Sequence, residues 1–336
     1  MLIGVTPRTS IPKTKPATSD AARAAADALA TLTPRRVAQI RRSLLGWYEA
    51  NEAPFPWRTA RDPYSALVAA VAAQQTQMSR VMEIHERWMR AFPTVGDLAR
   101  ADRAEVLRVW GRAGYPRRAV ALHETAIRCM RPVEDGGHGG ALPRDPAALL
   151  ALPGVGPFTA AIVRTFGWGD DAPAVDTNVV RVLGRLVCGD LQPARETSPA
   201  AVEAIAARLL PRGQAARWNP ALMDYGGRVC LPRPRCGECV LASTCAARPR
   251  FAAGEVAEPV RAQGAWAGSD RQLRGALMQA LRDAHAEDGA SVPEKTLLAG
   301  LEDAERATRL LGALVADGLA WRARGRVGLG TRSAGQ

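Results

Sequence analysis

The feature that most constrains this chain is a group of four cysteines close together in the sequence. They lie within sixteen residues in the pattern C-x5-C-x2-C-x5-C, at Cys230, Cys236, Cys239 and Cys245. Close and unequal spacing allows one short loop to surround a compact cluster with thiolates. Structural zinc sites more often use two C-x2-C pairs, and this loop has one. The pattern favours an iron–sulfur cluster over zinc, and a cytoplasmic chain would not normally use these residues as disulfides.

Charge and hydropathy narrow the class of protein. The chain has 336 residues and a formal net charge of +12, which favours polyanionic partners because each neutralised phosphate releases counterions. Almost all of the positive charge is arginine, a bias that genome composition also produces, so charge alone leaves nucleic-acid binding open. No apolar run reaches the ~20 residues that cross a bilayer, and the first ten residues lack a signal-peptide pattern. We expect a cytoplasmic monomer without membrane contact.

Hydrophobic periodicity predicts an all-α fold for most of the chain. Helical spacing starts near Arg35, and strand signals are almost absent before the C-terminus. We predict a loose tail at 1–33, a helical domain at 34–250 and a linker at 251–268. Residues 269–331 contain three helical patterns and a basic hairpin, which predict a winged-helix-like module. The alternative for this module is a helical cap that contacts no nucleic acid.

A glycine-rich turn separates two predicted helices at Leu152-Pro153-Gly154-Val155-Gly156-Pro157. Glycine permits backbone conformations that are closed to other residues. Such a turn can present several N–H groups at a helix N-terminus and hold a phosphate there. An ordinary helix–helix connection is the alternative.

A short acidic motif, Val175-Asp176-Thr177-Asn178-Val179, follows about twenty residues after the turn. On position alone, Asp176 is most simply a helix N-cap. A functional role requires the turn and the acid to act together, with the turn on a nucleic-acid backbone and Asp176 facing a sugar displaced from the duplex.

The ordered set of motifs resembles the adenine DNA glycosylase (MutY-type) branch of the endonuclease III superfamily. The resemblance covers residues 35–247 and includes the glycine turn, the Asp176 motif and the four cysteines. Its further motifs are Phe55-Pro56-Trp57-Arg58, Asp62-Pro63-Tyr64, Gln74-Gln75-Thr76-Gln77, Phe92-Pro93-Thr94 and Gly114-Tyr115.

This resemblance implies a helix-hairpin-helix DNA glycosylase fold with two helical lobes and an iron–sulfur loop, and a [4Fe–4S] cluster on the four cysteines. It also implies a nucleoid-associated protein whose partner is double-stranded DNA with a mismatched or damaged base. Asp176 becomes the catalytic aspartate, supporting the cationic sugar that forms when a flipped base leaves. Gln75 and Tyr115 become side chains that wedge into the base stack. The DNA-contacting set implied in this way is Gly154, Val155, Gly156, Gln75, Thr76, Tyr115 and Asn178.

The base pocket is where the chain departs from the family pattern. We place Trp57, Arg58, Ala70 and Phe158 there, although core packing or a surface ion pair would also explain Trp57 and Arg58. Phe158 stands where the lyase members have a Schiff-base lysine, and no lysine occurs between residues 16 and 294. A monofunctional enzyme without lysine-based strand cleavage is therefore expected.

Ala70 is the larger departure, because adenine glycosylases have a general-acid glutamate at this position. The default substrate remains adenine mispaired with 8-oxoguanine or guanine. One alternative is a uracil or thymine glycosylase, because these bases leave as delocalised anions and depend less on an acid. Another is a lesion- or mismatch-binding protein without turnover. The C-terminal module does not resemble the Nudix-like domain common in the family, and the first cysteine gap is one residue shorter than usual.

Overall fold

The computed structural model describes residues 19–257, 265–288, 291–299, 301 and 303–332. Part of the predicted linker, residues 258–264, and the first eighteen residues of the predicted tail lie outside this range.

The described residues are mainly helical, as predicted. The part of the chain that the structure describes contains seventeen α-helices: α1 Ser19–Ala30, α2 Pro34–Glu49, α3 Pro63–Ala72, α4 Met78–Ala91, α5 Val95–Arg100, α6 Arg103–Trp110, α7 Arg117–Met130, α8 Pro146–Leu150, α9 Pro157–Ile162, α10 Thr177–Leu183, α11 Pro193–Glu196, α12 Pro199–Leu209, α13 Ala215–Arg228, α14 Arg248–Ala252, α15 Asp270–Asp288, α16 Glu294–Leu298 and α17 Ala304–Ala316. Both α9 and α10 continue as π-helical turns, at Val163–Trp168 and Gly184–Cys188.

The chain forms two compact units rather than one catalytic domain followed by an appendage. The cysteine lobe comprises Met1–Glu52 and Val175–Pro259, and the hairpin lobe comprises Ala53–Ala174 and Val260–Gln336. Each lobe is built from two separated stretches of chain. The predicted domain 34–250 is thus divided between the lobes, and the C-terminal residues belong to the hairpin lobe.

The cysteine lobe has its own apolar core around α2, α10 and α13. The predicted periodicity of α2 is correct, because Val37, Ile40, Leu44 and Tyr48 are all buried. The predicted loose tail is wrong for its second half, since α1 is helical and Ala28 and Leu32 are buried in this core. Its alanine-rich composition suggested disorder, but alanine also has the highest helix propensity.

The hairpin lobe is built around α3, which is buried along almost its whole length. Every residue from Tyr64 to Ala72 is buried, so this helix has no solvent face. It packs against α4, α7 and α9. A helix that is apolar on all sides lies in the centre of a core.

The C-terminal part of the hairpin lobe has the element order helix, strand, helix, helix, strand, strand. Strands β1 Val292–Pro293, β2 Ala320–Ala323 and β3 Arg326–Leu329 form an antiparallel sheet in the order β1-β3-β2. Helix α15 packs against α6, and the buried Arg282 donates from Nε to the Leu107 carbonyl at 3.2 Å. This module, α15 to β3, therefore shares the core of the hairpin lobe.

Within the described ranges, no helix combines the length and the apolarity needed to cross a bilayer.

Candidate active site

The two glycines of the predicted turn differ in whether the fold itself requires glycine at that position. Gly154 has φ +74°, and a Cβ there would lie 2.9 Å from the Ala121 Cβ, so the fold itself requires glycine. Gly156, before α9, has an ordinary φ of −97°, and a Cβ there would meet nothing within 4 Å. Gly156 therefore leaves backbone open to a close external approach, as a phosphate would need.

Asp176 is the N-cap of α10, and both of its carboxylate oxygens have hydrogen-bond partners. Oδ1 accepts from the Val179 backbone N–H at 2.7 Å, and Oδ2 accepts from the Asn178 side-chain amide at 2.9 Å. The residue is half-buried. A carboxylate has about four acceptor positions, so capping orients the group and leaves lone pairs available.

A chain of hydrogen bonds extends from this carboxylate to the cysteine loop. Arg181 donates to the Asn178 Oδ1 at 2.7 Å, and the same side chain donates to the Cys230 carbonyl at 2.7 Å. Asn178, predicted to contact DNA, thus lies between Asp176 and Arg181. Burial lowers the pKa of Arg181, which nonetheless stays charged at neutral pH.

The four cysteines are unpaired and lie in the same lobe as Asp176. The Tyr225 hydroxyl donates to the Cys239 Sγ at 3.0 Å, and Arg185 lies 3.6 Å from the Cys230 Sγ. Burial raises the pKa of the Cys230 and Cys236 thiols and brings that of Cys245 to about 11. Among the described residues, no three Cys, His, Asp or Glu side chains converge as a ready set of metal ligands.

Sequence reasoning missed Arg185, which anchors the cysteine loop. It is 1 % exposed and donates to the Leu191, Leu231 and Pro232 carbonyls. Its only sequence signal is an arginine within the apolar run Val182–Val187, where burial of a charge demands fixed partners.

Gln75 and Tyr115, the two predicted wedge residues, both hold left-handed backbone in the hairpin lobe. Their φ values are +55° and +46°, which is uncommon for residues other than glycine. Both side chains are exposed, and Tyr115 is 52 % exposed although aromatic. Such backbone strain concentrates at functional sites.

One guanidinium holds these two segments together, and it too was missed from the sequence. Arg118 donates to the Val71, Ala72 and Gln74 carbonyls at 2.9, 3.1 and 2.5 Å. It also donates to the Ala113 and Gly114 carbonyls at 3.1 and 3.2 Å. The predicted DNA-contacting Thr76 lies beside it, with Oγ1 at 3.4 Å. Burial lowers the pKa of Arg118 to about 10, so it stays charged at neutral pH.

The predicted base-pocket residues lie on three elements of the hairpin lobe, and α3 packs against the other two, α9 and the short turn Pro56–Arg58. Trp57 is a buried core residue that stacks on Phe55 with ring centroids 5.0 Å apart. The Arg58 Cζ lies over the Phe55 ring, 4.7 Å from its centroid. Ala70 is buried on α3, and Phe158 is half-buried in the first turn of α9. Trp57 therefore packs in the core, whether or not it also borders a base pocket. Ala70 contributes only a methyl group to its surroundings.

Comparisons with known proteins identify the family to which the chain belongs. A model of the HhH-GPD superfamily of base excision DNA repair proteins matches residues 68–211. The chain is 39 % identical over 279 residues to an adenine DNA glycosylase of Mycolicibacterium smegmatis, covering 82 % of this chain and 90 % of the relative. It is 38 % identical to one of Mycobacterium tuberculosis, covering 86 % and 92 %.

Solved structures extend the likeness to the fold. A thermostable thymine-DNA glycosylase superposes with a TM-score of 0.58 at 28 % identity, over 64 % of this chain and 98 % of that one. The predicted helix-hairpin-helix glycosylase fold and the predicted family are therefore confirmed. This chain belongs to the adenine DNA glycosylase family, within the helix-hairpin-helix superfamily of base-excision DNA repair enzymes.

Proposed function

We propose that this protein is a monofunctional DNA N-glycosylase that releases adenine mispaired with 8-oxoguanine or guanine. The observation that carries the proposal is the Asp176 carboxylate, oriented through both oxygens by Val179 and Asn178 in a chain whose relatives are adenine DNA glycosylases. Breaking the bond between base and sugar leaves positive charge on the sugar carbon C1′. The base leaves with the bonding electron pair, and a fixed carboxylate stabilises the charge on C1′. Water then adds to C1′ and loses a proton, and uptake of a proton by the departing base balances the reaction.

Base extrusion is assigned to the hairpin lobe. Gly154, Val155 and Gly156 hold a phosphate through their backbone, and the open space at Gly156 supports this role. Gln75 and Tyr115 fill the gap left in the base stack, and Arg118 is the positioning residue that fixes both of their backbones. Thr76 and Asn178 complete the DNA-contacting set. Unstacking costs a few kcal/mol, which rigid wedges help to offset.

The base pocket would be formed by Trp57, Arg58, Ala70 and Phe158. Ala70 cannot protonate a purine, and general-acid help contributes about 10²–10⁴-fold. This favours a second candidate function, release of thymine or uracil from a mismatch. The structural relative that is a thymine-DNA glycosylase supports the same alternative.

A panel of duplexes tests the proposal. The full-length protein is incubated in excess with duplexes that carry adenine opposite 8-oxoguanine, adenine opposite guanine, or thymine or uracil opposite guanine. Released base is measured by chromatography, and strand cleavage is measured before and after alkali. Adenine release without direct strand cleavage is the expected result. Pyrimidine release alone would replace the substrate, and tight binding without any release would identify a recognition protein.

We further propose that Cys230, Cys236, Cys239 and Cys245 hold a [4Fe–4S] cluster. The residues fit this group because the four thiols are unpaired and partly buried within one short loop, and hydrogen-bond donors from Tyr225 and Arg185 approach two of the sulfurs. Donors of this kind stabilise thiolate ligands. When bound, the cluster supplies structural support to the loop, while Asp176 performs the chemistry. Purified protein should be yellow-brown and contain iron and sulfide, whereas colourless protein with stoichiometric zinc would refute the assignment.

A further inference from the structure

A basic cleft of about 880 Å³ lies within the hairpin lobe, between the wedge segments and α15. Gln75 and Tyr115 line one side of it, and α15 lines the other. Among the described residues, no acidic side chain lines the cleft, whereas six arginines do; they are Arg80, Arg112, Arg117, Arg271, Arg274 and Arg282. Such a surface suits a polyanion.

The charge of this cleft is only partly neutralised by its surroundings. Asp317, at its border, pairs with Arg117 at 3.0 Å and with Arg274 at 2.9 Å. Arg112 instead donates to the neutral Gln279 side chain at 3.0 Å, and Arg282 donates to a backbone carbonyl. Asp283 lies nearby and accepts from Gln279 at 2.7 Å. Positive charge therefore remains in excess.

Two exposed aromatic side chains lie in the same cleft. Trp266 is 58 % exposed and Tyr115 is 52 % exposed. Arginines combined with exposed aromatic rings are typical of surfaces that bind a nucleic-acid strand, because the rings stack on bases or sugars while the cations contact phosphates.

Gly275 lies inside the 19-residue helix α15 and lines the cleft. A Cβ at this position would meet nothing within 4 Å, so a side chain introduced here meets no clash within the protein. The position therefore offers a site for a substitution that changes the charge of the cleft.

The other candidate face of the module is formed by α17 and the β2–β3 hairpin, and acidic partners neutralise three of its arginines, while Arg324 and Arg326 add positive charge at the hairpin turn. Arg306 and Arg309 both pair with Asp270, at 2.7 and 3.3 Å, and Arg322 pairs with Glu294. Glu305 adds negative charge to the first turn of α17. In winged-helix proteins the corresponding helix is usually the one that enters a DNA groove.

We infer that DNA lies in the cleft through its sugar–phosphate backbone, so that α15, rather than α17 and the hairpin, is the DNA-facing element of the C-terminal module. The inference rests on the proposed function, because the cleft lies beside the extruded base only if Gln75 and Tyr115 are the wedge residues. The module thus extends the duplex-binding surface from the wedge residues.

The chain offers a matched pair of variants to test this inference. Gly275 on α15 and Gly312 on α17 are both helix-interior glycines with open space around them. Gly275→Glu and Gly312→Glu make the same change of charge and size on the two faces. Affinity of the full-length protein for a fluorescein-labelled, undamaged duplex is measured by anisotropy over a salt series, and base release is measured on the same samples.

Gly275→Glu should weaken DNA binding about fivefold to tenfold at low salt, as expected for a carboxylate facing phosphates across water, and should lower the salt slope by about one. Gly312→Glu should bind like the parent protein. Gly275→Gln separates bulk from charge and should lose less affinity, and Gly275→Ala should melt no lower than the parent, showing that the helix tolerates a side chain.

Weakening by Gly312→Glu but not by Gly275→Glu, or by neither, overturns the inference. If the parent releases base while Gly275→Glu binds normally, the cleft assignment fails and the proposed function stands. If the predicted affinity pattern is found but no duplex yields free base, the proposed function fails and the cleft stands.

Discussion

The two places assigned to the chemistry, around Asp176 and around Ala70, differ in almost every physical respect. Asp176 is half-buried among polar groups, with donors on both oxygens and Arg181 beyond them. Ala70 lies on the wholly buried helix α3. The hydroxyls of that helix are already engaged, since Tyr64 donates to the Phe92 carbonyl at 3.0 Å and Ser65 is 2.9 Å from His85. Under the proposed function, Asp176 supports the sugar cation, whereas the Ala70 side chain supplies no proton to the base.

Introducing a carboxylic acid at position 70 tests this contrast and is expected to give the largest effect. Ala70→Glu should raise the rate of adenine release in single turnover by about 10²–10⁴-fold, the usual contribution of a general acid. A carboxyl buried on α3 should also lower the free energy of unfolding, by about 1–3 kcal/mol. Ala70→Gln is the control, because it has the same size but cannot give up a proton. Equal gains in the two variants would show that shape, and not protonation, limits the reaction.

Removing the carboxylate charge is expected to give the next largest effect. Asp176→Asn should slow base release by about 10²–10³-fold, the order found when one stabilising group for a developing charge is lost. Asparagine caps helices as well as aspartate, so the bond from the Val179 N–H and the melting temperature should be retained. An unchanged release rate, together with an unchanged melting temperature, would show that Asp176 is only a cap.

The same contrast explains what the sequence could and could not predict. Helix positions and the motif order follow from local spacing, and α2 shows the expected buried face. The α1 helix was missed because tail composition and helix propensity indicate opposite structures. The two helical lobes follow from the family resemblance and not from local spacing, because they depend on which distant helices pack together. Arg118 and Arg185 were missed because their partners are backbone carbonyls, and such bonds leave no pattern in side-chain identities.

A variant at Arg118 tests extrusion of the base separately from the chemistry assigned to Asp176 and to Ala70. Arg118→Lys keeps the charge but loses the planar fork that reaches carbonyls on both segments. We expect about a tenfold fall in release from a fully stacked duplex, corresponding to roughly 1.4 kcal/mol, and a smaller fall when the target base is left unpaired. Arg90→Lys, at an exposed ion pair on α4, is the surface control. A similar loss on both substrates would indicate a general folding defect instead of a positioning role.

The smallest expected effect concerns the pH dependence of stability, which arises from buried side chains packed around α3. Burial lowers the pKa of His85, which contacts Ser65 and lies 4.9 Å from Trp57, while Asp62 acts weakly in the opposite direction. The His85 side chain is therefore protonated near pH 6.5 in the unfolded chain but only at lower pH in the folded chain. Because the unfolded chain then binds more protons, the free energy of unfolding falls as the pH drops through this window. His85→Gln removes the titration and should flatten the melting temperature between about pH 7.5 and 5.5 relative to the parent. Because Asp176 does not contribute to this packing, Asp176→Asn should keep the parent's pH dependence of melting in this range. An identical pH dependence in the parent and His85→Gln would place the acid-sensitive group elsewhere.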